Sequence, residues 1–240
     1  MTGAGSGLGK AMSLALAGAG AQVFLVARRR ATLDAAAEEI RANGGEAEPW
    51  AGDVAHPETP SRAVEACVTR FSAVDILVNN AGIAREGDSL AFSADAWRQT
   101  LEVNLSAPFF FSRAAAQFMV KRKQGKIIQV ASMFGLSGEP RLAAYCASKG
   151  GLIQMTRSLA AEWAKYNIQV NALAPGYFAT EMTADGMRDE KTAAAMLRRI
   201  PARRFGRPEE LAPWVVLLAS SASDYMTGEV ITIDGGRSAR

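Results

Sequence analysis

The feature that most constrains this chain is an alternation that runs its whole length. Short apolar runs rich in β-branched residues lie at 22–27, 75–79, 126–131, 168–174 and 229–233, with a weaker one at 46–52. Longer stretches with helical spacing separate them, at 10–19, 33–43, 59–71, 94–121, 145–166 and 208–220. Runs apolar on both faces suit strands buried from both sides, and strand–helix alternation builds a parallel sheet with helices on each face. The prediction is an α/β fold: one domain over residues 1–240, a doubly wound parallel sheet, with no repeat or linker to divide it.

Composition limits the chemistry. His56, in Ala55-His56-Pro57, is the single histidine, so neither a Ser-His-Asp triad nor a typical zinc site can be assembled, and no metal is expected. The formal charge of +3 is too slight to imply nucleic acid. The apolar stretch at 211–219 is about half the ~18 residues that a membrane span needs, so no membrane association is expected. Two cysteines, Cys67 and Cys146, are too few for a disulfide framework, which together with a start lacking signal-peptide character predicts a cytoplasmic protein.

Chemistry must then rest on Tyr, Lys, Ser, carboxylates or a bound cofactor. Thr2-Gly3-Ala4-Gly5-Ser6-Gly7-Leu8-Gly9 opens directly onto a helical stretch. Glycines there let the main chain approach a pyrophosphate, held by N–H groups and the dipole at the helix start. At the end of the next strand, where NAD-specific folds place an acid on the ribose, the chain has Ala27 followed by Arg28, Arg29 and Arg30. A small residue followed by guanidinium groups suits a 2′-phosphate, so NADP(H) is favoured over NAD(H).

Tyr145-Cys146-Ala147-Ser148-Lys149 puts a phenol and an ammonium four apart on one helix face. The ammonium favours the phenolate, which would make Tyr145 usable as an acid/base. Ser132 ends the strand at 126–131, where parallel sheets place their sites. Asn104 lies inside a long helical stretch, which suggests a bend or a polar relay.

Thr2–Gly9, Asp53, Asn79-Asn80-Ala81-Gly82, Asn104, Ser132, Tyr145-x-x-x-Lys149, Pro175-Gly176 and Asp234-Gly235-Gly236, in this order, resemble the short-chain dehydrogenase/reductases end to end. The resemblance implies a Rossmann-type sheet and a catalytic tetrad of Asn104, Ser132, Tyr145 and Lys149. It further implies cofactor contacts at Gly3, Ser6, Gly7, Leu8, Gly9, Arg28, Asp53, Val54, Asn80, Ala81, Gly82, Tyr145, Lys149, Pro175, Gly176, Phe178 and Thr180, and a homotetramer. One departure stands out: that family has an apolar strand before the glycine loop, and here only Met1 precedes Thr2. The sheet is therefore expected to lack its first strand, which leaves an inactive nucleotide-binding protein as one reading.

The segments at 169–182 and 200–208 and Ala222-Ser223-Asp224-Tyr225 resemble the sugar-acid dehydrogenases of that family, which interconvert gluconate and 5-ketogluconate. A sugar acid needs a cation for its carboxylate, and Arg85 and Arg141 are placed to supply one beside Ser132 and Tyr145. A 3-oxoacyl-carrier-protein reductase is the rival reading, with the basic residues at 121–126 or 198–207 receiving an acidic carrier. Residues of about 183–204, inserted between a strand and the last helix, are expected to form a lid over the substrate.

Overall fold

The computed structural model describes residues 1–239. Its strands are β1 (Gln22–Ala27), β2 (Glu46–Ala51), β3 (Ile76–Asn79), β4 (Gly125–Val130), β5 (Ile168–Pro175) and β6 (Val230–Ile233). All pair in parallel, β1 with β2, and β3 through β6 in sequence order. Alternation along each strand sends neighbouring side chains into opposite layers. Leu77, Ile127 and Val170 stand side by side and enter a core with Ala63, Val64, Phe111 and Trp163. Val78 and Ile128, one residue on, enter a second core with Met12, Leu16 and Val215.

The first layer is covered by α3 (Thr59–Phe71), α5 (Ala107–Arg122) and α6 (Ala143–Trp163), the second by α1 (Gly7–Gly18), α2 (Arg30–Ala42) and α9 (Ala212–Ala219). This is the predicted doubly wound parallel sheet, with each strand within one residue of its expected limits.

The helix expected over 94–121 is not continuous. It comprises α4 (Ala94–Leu101), a wider π turn over Glu102–Ser106, and α5. Asn104 lies inside the π turn, fully buried, and its side chain bonds the main chain of Ile83 at both N–H and C=O. Pro108, in the first turn of α5, has no N–H to offer the preceding turn. The bend that a buried amide suggested is therefore a local change of helix type.

The middle of the sheet is its unusual part. Between β1 and β3 stand only Met1 and Thr2 among the described residues. Thr2 N donates to Val78 O at 3.0 Å, and Val26 N donates to Met1 O at 2.9 Å. These bonds and the Thr2–Val26 bridge join two sheets that otherwise do not touch by main-chain pairing. Among the described residues no strand stands between β1 and β3. Two short helices, α7 (Ala184–Arg188) and α8 (Glu190–Arg199), fill the segment between β5 and α9, and the Asp189 side chain caps α8 by accepting from Thr192 N.

Candidate active site

Every strand points its C-terminal end the same way, so the loops that follow β1, β3, β4 and β5 gather along one edge. The glycine loop runs beside them. Gly3 and Gly7 have φ of +64° and +53°, a region open to glycine at little cost, and a Cβ on Gly9 would stand 2.1 Å from Gly3 O. The start of α1 carries no side-chain cap, which leaves its first N–H groups for an anion. Ser6 and Leu8 flank that start, and Thr180 sits against Gly7 from the β5 side.

The loop is fastened to the end of β3 by polar bonds that sequence reasoning missed. Thr2 Oγ1 accepts from Asn80 N at 3.0 Å and Ala81 N at 3.1 Å, while Asn80 Nδ2 donates to Thr2 O and Gly3 O. Asn80 and Ala81 are thus positioned by the glycine loop itself. Gly82 follows, within reach of two tetrad members: a Cβ there would stand 3.4 Å from Asn104 Oδ1 and 3.5 Å from Lys149 Nζ.

The tetrad is brought together from three elements. Ser132 follows β4, and its Oγ accepts from Phe134 N at 3.1 Å, which fixes the turn. Tyr145 lies in the first turn of α6 and Lys149 one turn on, with Nζ 5.8 Å from the centre of the Tyr145 ring. Lys149 Nζ donates to Val130 O at 2.7 Å. Asn104 Nδ2 donates to Ser148 Oγ at 3.1 Å, and that hydroxyl donates to Tyr145 O at 2.7 Å. Ser148, unnoticed in the sequence, therefore links Asn104 to the helix that carries Tyr145.

Burial pushes the Tyr145 hydroxyl above its ordinary pKa, against the pull of a hydrogen bond with Ser132. Burial of the phenol outweighs the depression expected from Lys149, and burial also lowers the Lys149 pKa, to about 8. Of the cofactor residues beyond the loop, Asp53 Oδ1 accepts from Ala55 N, and Val54 is buried in the core with Val26 and Ala63. Gly176 passes so close to Asp234 that a Cβ would meet it at 2.7 Å. Phe178 turns its ring into the second core, so it can offer a ligand only main-chain groups.

The three arginines after β1 separate by partner. Arg29 pairs with Glu181 at 3.1 Å and Arg30 with Asp34 at 2.8 Å, whereas Arg28 is exposed and forms no ion pair among the described residues. The two arginines expected at the substrate also differ. Arg141 pairs with the carboxylate of Glu86 at 3.3 Å, while Arg85 donates to the neutral amide oxygen of Gln99. Arg85 thus forms no ion pair among the described residues. A further cluster, with no signal in the sequence pattern, lies nearby: the Glu139 carboxylate bridges Arg199 of α8 and Arg237 near the C-terminus. Burial raises the pKa of neighbouring Tyr177, whose ring packs edge-on against Phe134. No group of three or more His, Cys, Asp or Glu among the described residues is arranged to hold a metal.

A helix-start anion cradle, strand-end loops and a Tyr–Lys helix define a nucleotide-dependent oxidoreductase of the parallel α/β kind. A family model described as "Enoyl-(Acyl carrier protein) reductase" matches residues 3–238. The chain belongs to the short-chain dehydrogenase/reductase family. It is 48% identical to 2-dehydro-3-deoxy-D-gluconate 5-dehydrogenase of Escherichia coli (strain K12), over 74% of this chain and 70% of that one. It is 39% identical to the 3-oxoacyl-acyl-carrier-protein reductase of Thermotoga maritima, over 98% of this chain and 95% of the relative. A crystal structure of a gluconate 5-dehydrogenase from Burkholderia cenocepacia, in complex with NADP and tartrate, superposes with a TM-score of 0.95 at 37% identity, covering 100% of this chain and 94% of that chain.

Lys149 yields a prediction about stability. Its folded pKa of about 8 lies below the unfolded 10.5, so the folded protein binds fewer protons between those values. Its unfavourable contribution is therefore full below pH 8 and fades as pH rises toward 10.5, a difference of roughly 3 kcal/mol. Lys149→Met should raise stability at pH 7 by roughly 1–2 kcal/mol, part of the gain being lost with the bond to Val130 O. Urea melts at pH 7 and pH 10 check this, and the advantage should be smaller at pH 10.

Proposed function

We propose that this protein is an NADP(H)-dependent oxidoreductase that interconverts a secondary alcohol and a ketone on a sugar acid of the gluconate/5-ketogluconate type. The observation that carries the reaction is the convergence of Ser132, Tyr145 and Lys149 where the end of β4 and the start of α6 meet the loop that follows β3. The substrate class rests on the relatives named for gluconate and its keto acids, together with Arg85, which forms no ion pair among the described residues.

The residues present fit a dinucleotide. The uncapped α1 start and Gly3, Ser6, Gly7, Leu8 and Gly9 take the pyrophosphate, Arg28 the 2′-phosphate, and Asp53 and Val54 the adenine. Asn80, Ala81, Gly82, Pro175, Gly176, Phe178 and Thr180 line the nicotinamide end. When bound, the nicotinamide supplies or accepts the hydride.

The chain's own residues hold the substrate oxygen and move its proton. In reduction, Ser132 Oγ donates to the carbonyl oxygen and polarises it, and Tyr145 delivers its phenolic proton to that oxygen. The Lys149 ammonium stabilises the phenolate left behind. Asn104, held rigid by Ile83 and joined to Ser148, positions the proton path that restores Tyr145. Oxidation runs the same sequence backwards. Arg85 takes the substrate carboxylate, a role for which Arg141 is less suited because Glu86 already neutralises it.

Residues 183–204, including α7 and α8, act as the lid. Exposed Phe109 and Phe110 on α5 suit burial against other copies in a homotetramer. No helix among the described residues is long and apolar enough to cross a membrane, and we place the enzyme in the cytoplasm. A second reading, reduction of a 3-oxoacyl carrier protein, is favoured by the 39% identity to such a reductase over nearly the whole chain.

The deciding experiment follows nicotinamide absorbance with 5-ketogluconate and with an acetoacetyl thioester, each under NADPH and NADH. Turnover of the keto acid with NADPH supports the first reading, and turnover of the thioester alone selects the second. Tyr145→Phe should lower kcat by roughly 10²–10⁴-fold while leaving NADPH binding by fluorescence within a few-fold. Arg28→Asp should cost NADPH roughly 10–100-fold in kcat/KM and spare NADH, which reverses the preference. Arg85→Ala should raise KM for the keto acid by roughly 10–100-fold and leave a neutral ketone nearly unchanged.

A further inference from the structure

Three cations crowd the start of α2, an end of a helix where the dipole favours negative charge. Arg28, Arg29 and Arg30 are all exposed, the first turn of α2 holds no acidic residue, and no side chain caps it among the described residues. Two carboxylates nevertheless reach the cluster, and they hold it differently. Asp34 comes from the same helix and accepts from Arg30 Nε on both oxygens, at 2.8 and 3.0 Å. Glu181 comes from 152 residues away and accepts from Arg29 through Nη2, at 3.1 Å.

Both partners of the longer pair stand beside the glycine loop. The Thr32 hydroxyl donates to Arg29 O at 2.9 Å and lies so close to Gly5 that a Cβ there would collide with it. On the other side Glu181 follows Thr180, which sits against Gly7. Its turn is closed by Thr183, whose Oγ1 accepts from Thr180 N at 3.1 Å and donates to Phe178 O at 2.6 Å. The side chains of Arg29 and Glu181 are 63% and 68% exposed, so solvent screens the pair and it is weakly held. A 2′-phosphate carries nearly two negative charges near neutrality, and Arg28 supplies one positive charge. The glycine loop adds none, since residues 2–9 contain no Lys or Arg, and Lys10 is already paired with Glu39. With Arg30 gripped by both oxygens of Asp34, Arg29 is the cation of this loop that a second anion can most readily detach.

We propose that Arg29 is a second ligand of the cofactor 2′-phosphate, held back by Glu181 until the phosphate displaces that carboxylate. Glu181 is then a positioning residue, acting on the cofactor through Arg29. The inference rests on the NADP(H) reading above. A ribose 2′-hydroxyl has no charge with which to compete, so with NAD(H) the pair stays intact. A phosphate dianion does compete, because a guanidinium can give it two parallel charge-assisted bonds where Glu181 accepts one. The released carboxylate returns to water it already touches. A carboxylate that must be displaced also works against weaker anions, so the same pair sharpens the choice of ligand.

The test uses the full chain and calorimetry with adenosine 2′,5′-bisphosphate and 5′-AMP, which differ only in the 2′-phosphate and need no turnover. Both side chains are exposed, so the variants should keep the Tm of the unaltered protein. Arg29→Gln should weaken the bisphosphate about tenfold and leave 5′-AMP unchanged. Glu181→Gln should tighten the bisphosphate about two- to fivefold, again without effect on 5′-AMP. The double variant decides the matter: once Arg29 is gone, Glu181→Gln should have no further effect, because its influence passes through that guanidinium. Unchanged bisphosphate affinity in Arg29→Gln would overturn the proposal. So would an equal gain from Glu181→Gln in both backgrounds, which would make Glu181 a general repulsive charge, or parallel losses for 5′-AMP, which would make the pair structural. Equal binding of the two probes by the unaltered protein would overturn the NADP(H) reading beneath the proposal, a failure distinct from the others.

Discussion

One residue, Thr2, joins the parts of this molecule that must act together. Its main chain ties the β1–β2 pair to the four-stranded sheet, and its hydroxyl accepts from Asn80 and Ala81 at the end of β3. The hydroxyl bonds hold the glycine loop at a set distance from Gly82, and Gly82 in turn abuts Asn104 and Lys149. The anion cradle and the Tyr–Lys helix therefore share a reference point. Both cores take side chains from both sheets, so loosening the clasp would disturb the packing on each face as well as the dimensions of the site.

The same arrangement explains why the site is costly to maintain. Lys149 is nearly excluded from water with only a carbonyl as a bonded partner, and its ammonium pays for that in a pKa near 8. The Tyr145 hydroxyl is pushed the other way by the same burial. Burial thus keeps the phenol protonated and makes the ammonium ready to give up its proton, and perturbed pairs of this kind are common where side chains exchange protons with a ligand. Asn104 is the counterweight: a π turn, two bonds to Ile83 and one to Ser148 fix it so firmly that no part of its amide is idle.

Electrostatics also separates arginines that look alike in sequence. Arg28, Arg29 and Arg30 are consecutive, yet two are committed to Glu181 and Asp34 and one is not. Arg85 and Arg141 lie on loops joined by the bond from Gly87 N to Arg141 O, yet Glu86 pairs only with the second. The Glu139 bridge from Arg199 to Arg237 ties α8 to the C-terminal segment, and it is built from residues nearly a hundred positions apart. Which basic residue can meet an anionic ligand is a question of which carboxylate reaches it first.

The fold was legible in the sequence because local patterns encode it, and the same patterns picked out the residues we propose as the tetrad. Apolar runs such as 126–131 and 168–174 specify buried strands whatever surrounds them, and a Tyr and Lys four apart share a helix face by geometry alone. The glycine loop ahead of a helix likewise carries its own conformational requirement. Tertiary structure decided the rest, since no local rule brings Thr2 to Asn80, Ser148 to Asn104, or Glu139 to Arg237. It also decided the protonation energetics: a Tyr–Lys spacing predicts attraction, but the sign of each shift depends on how much water the fold removes, and burial outweighs the pair. Periodicity fixes which side chains point inward; only packing fixes what they meet there.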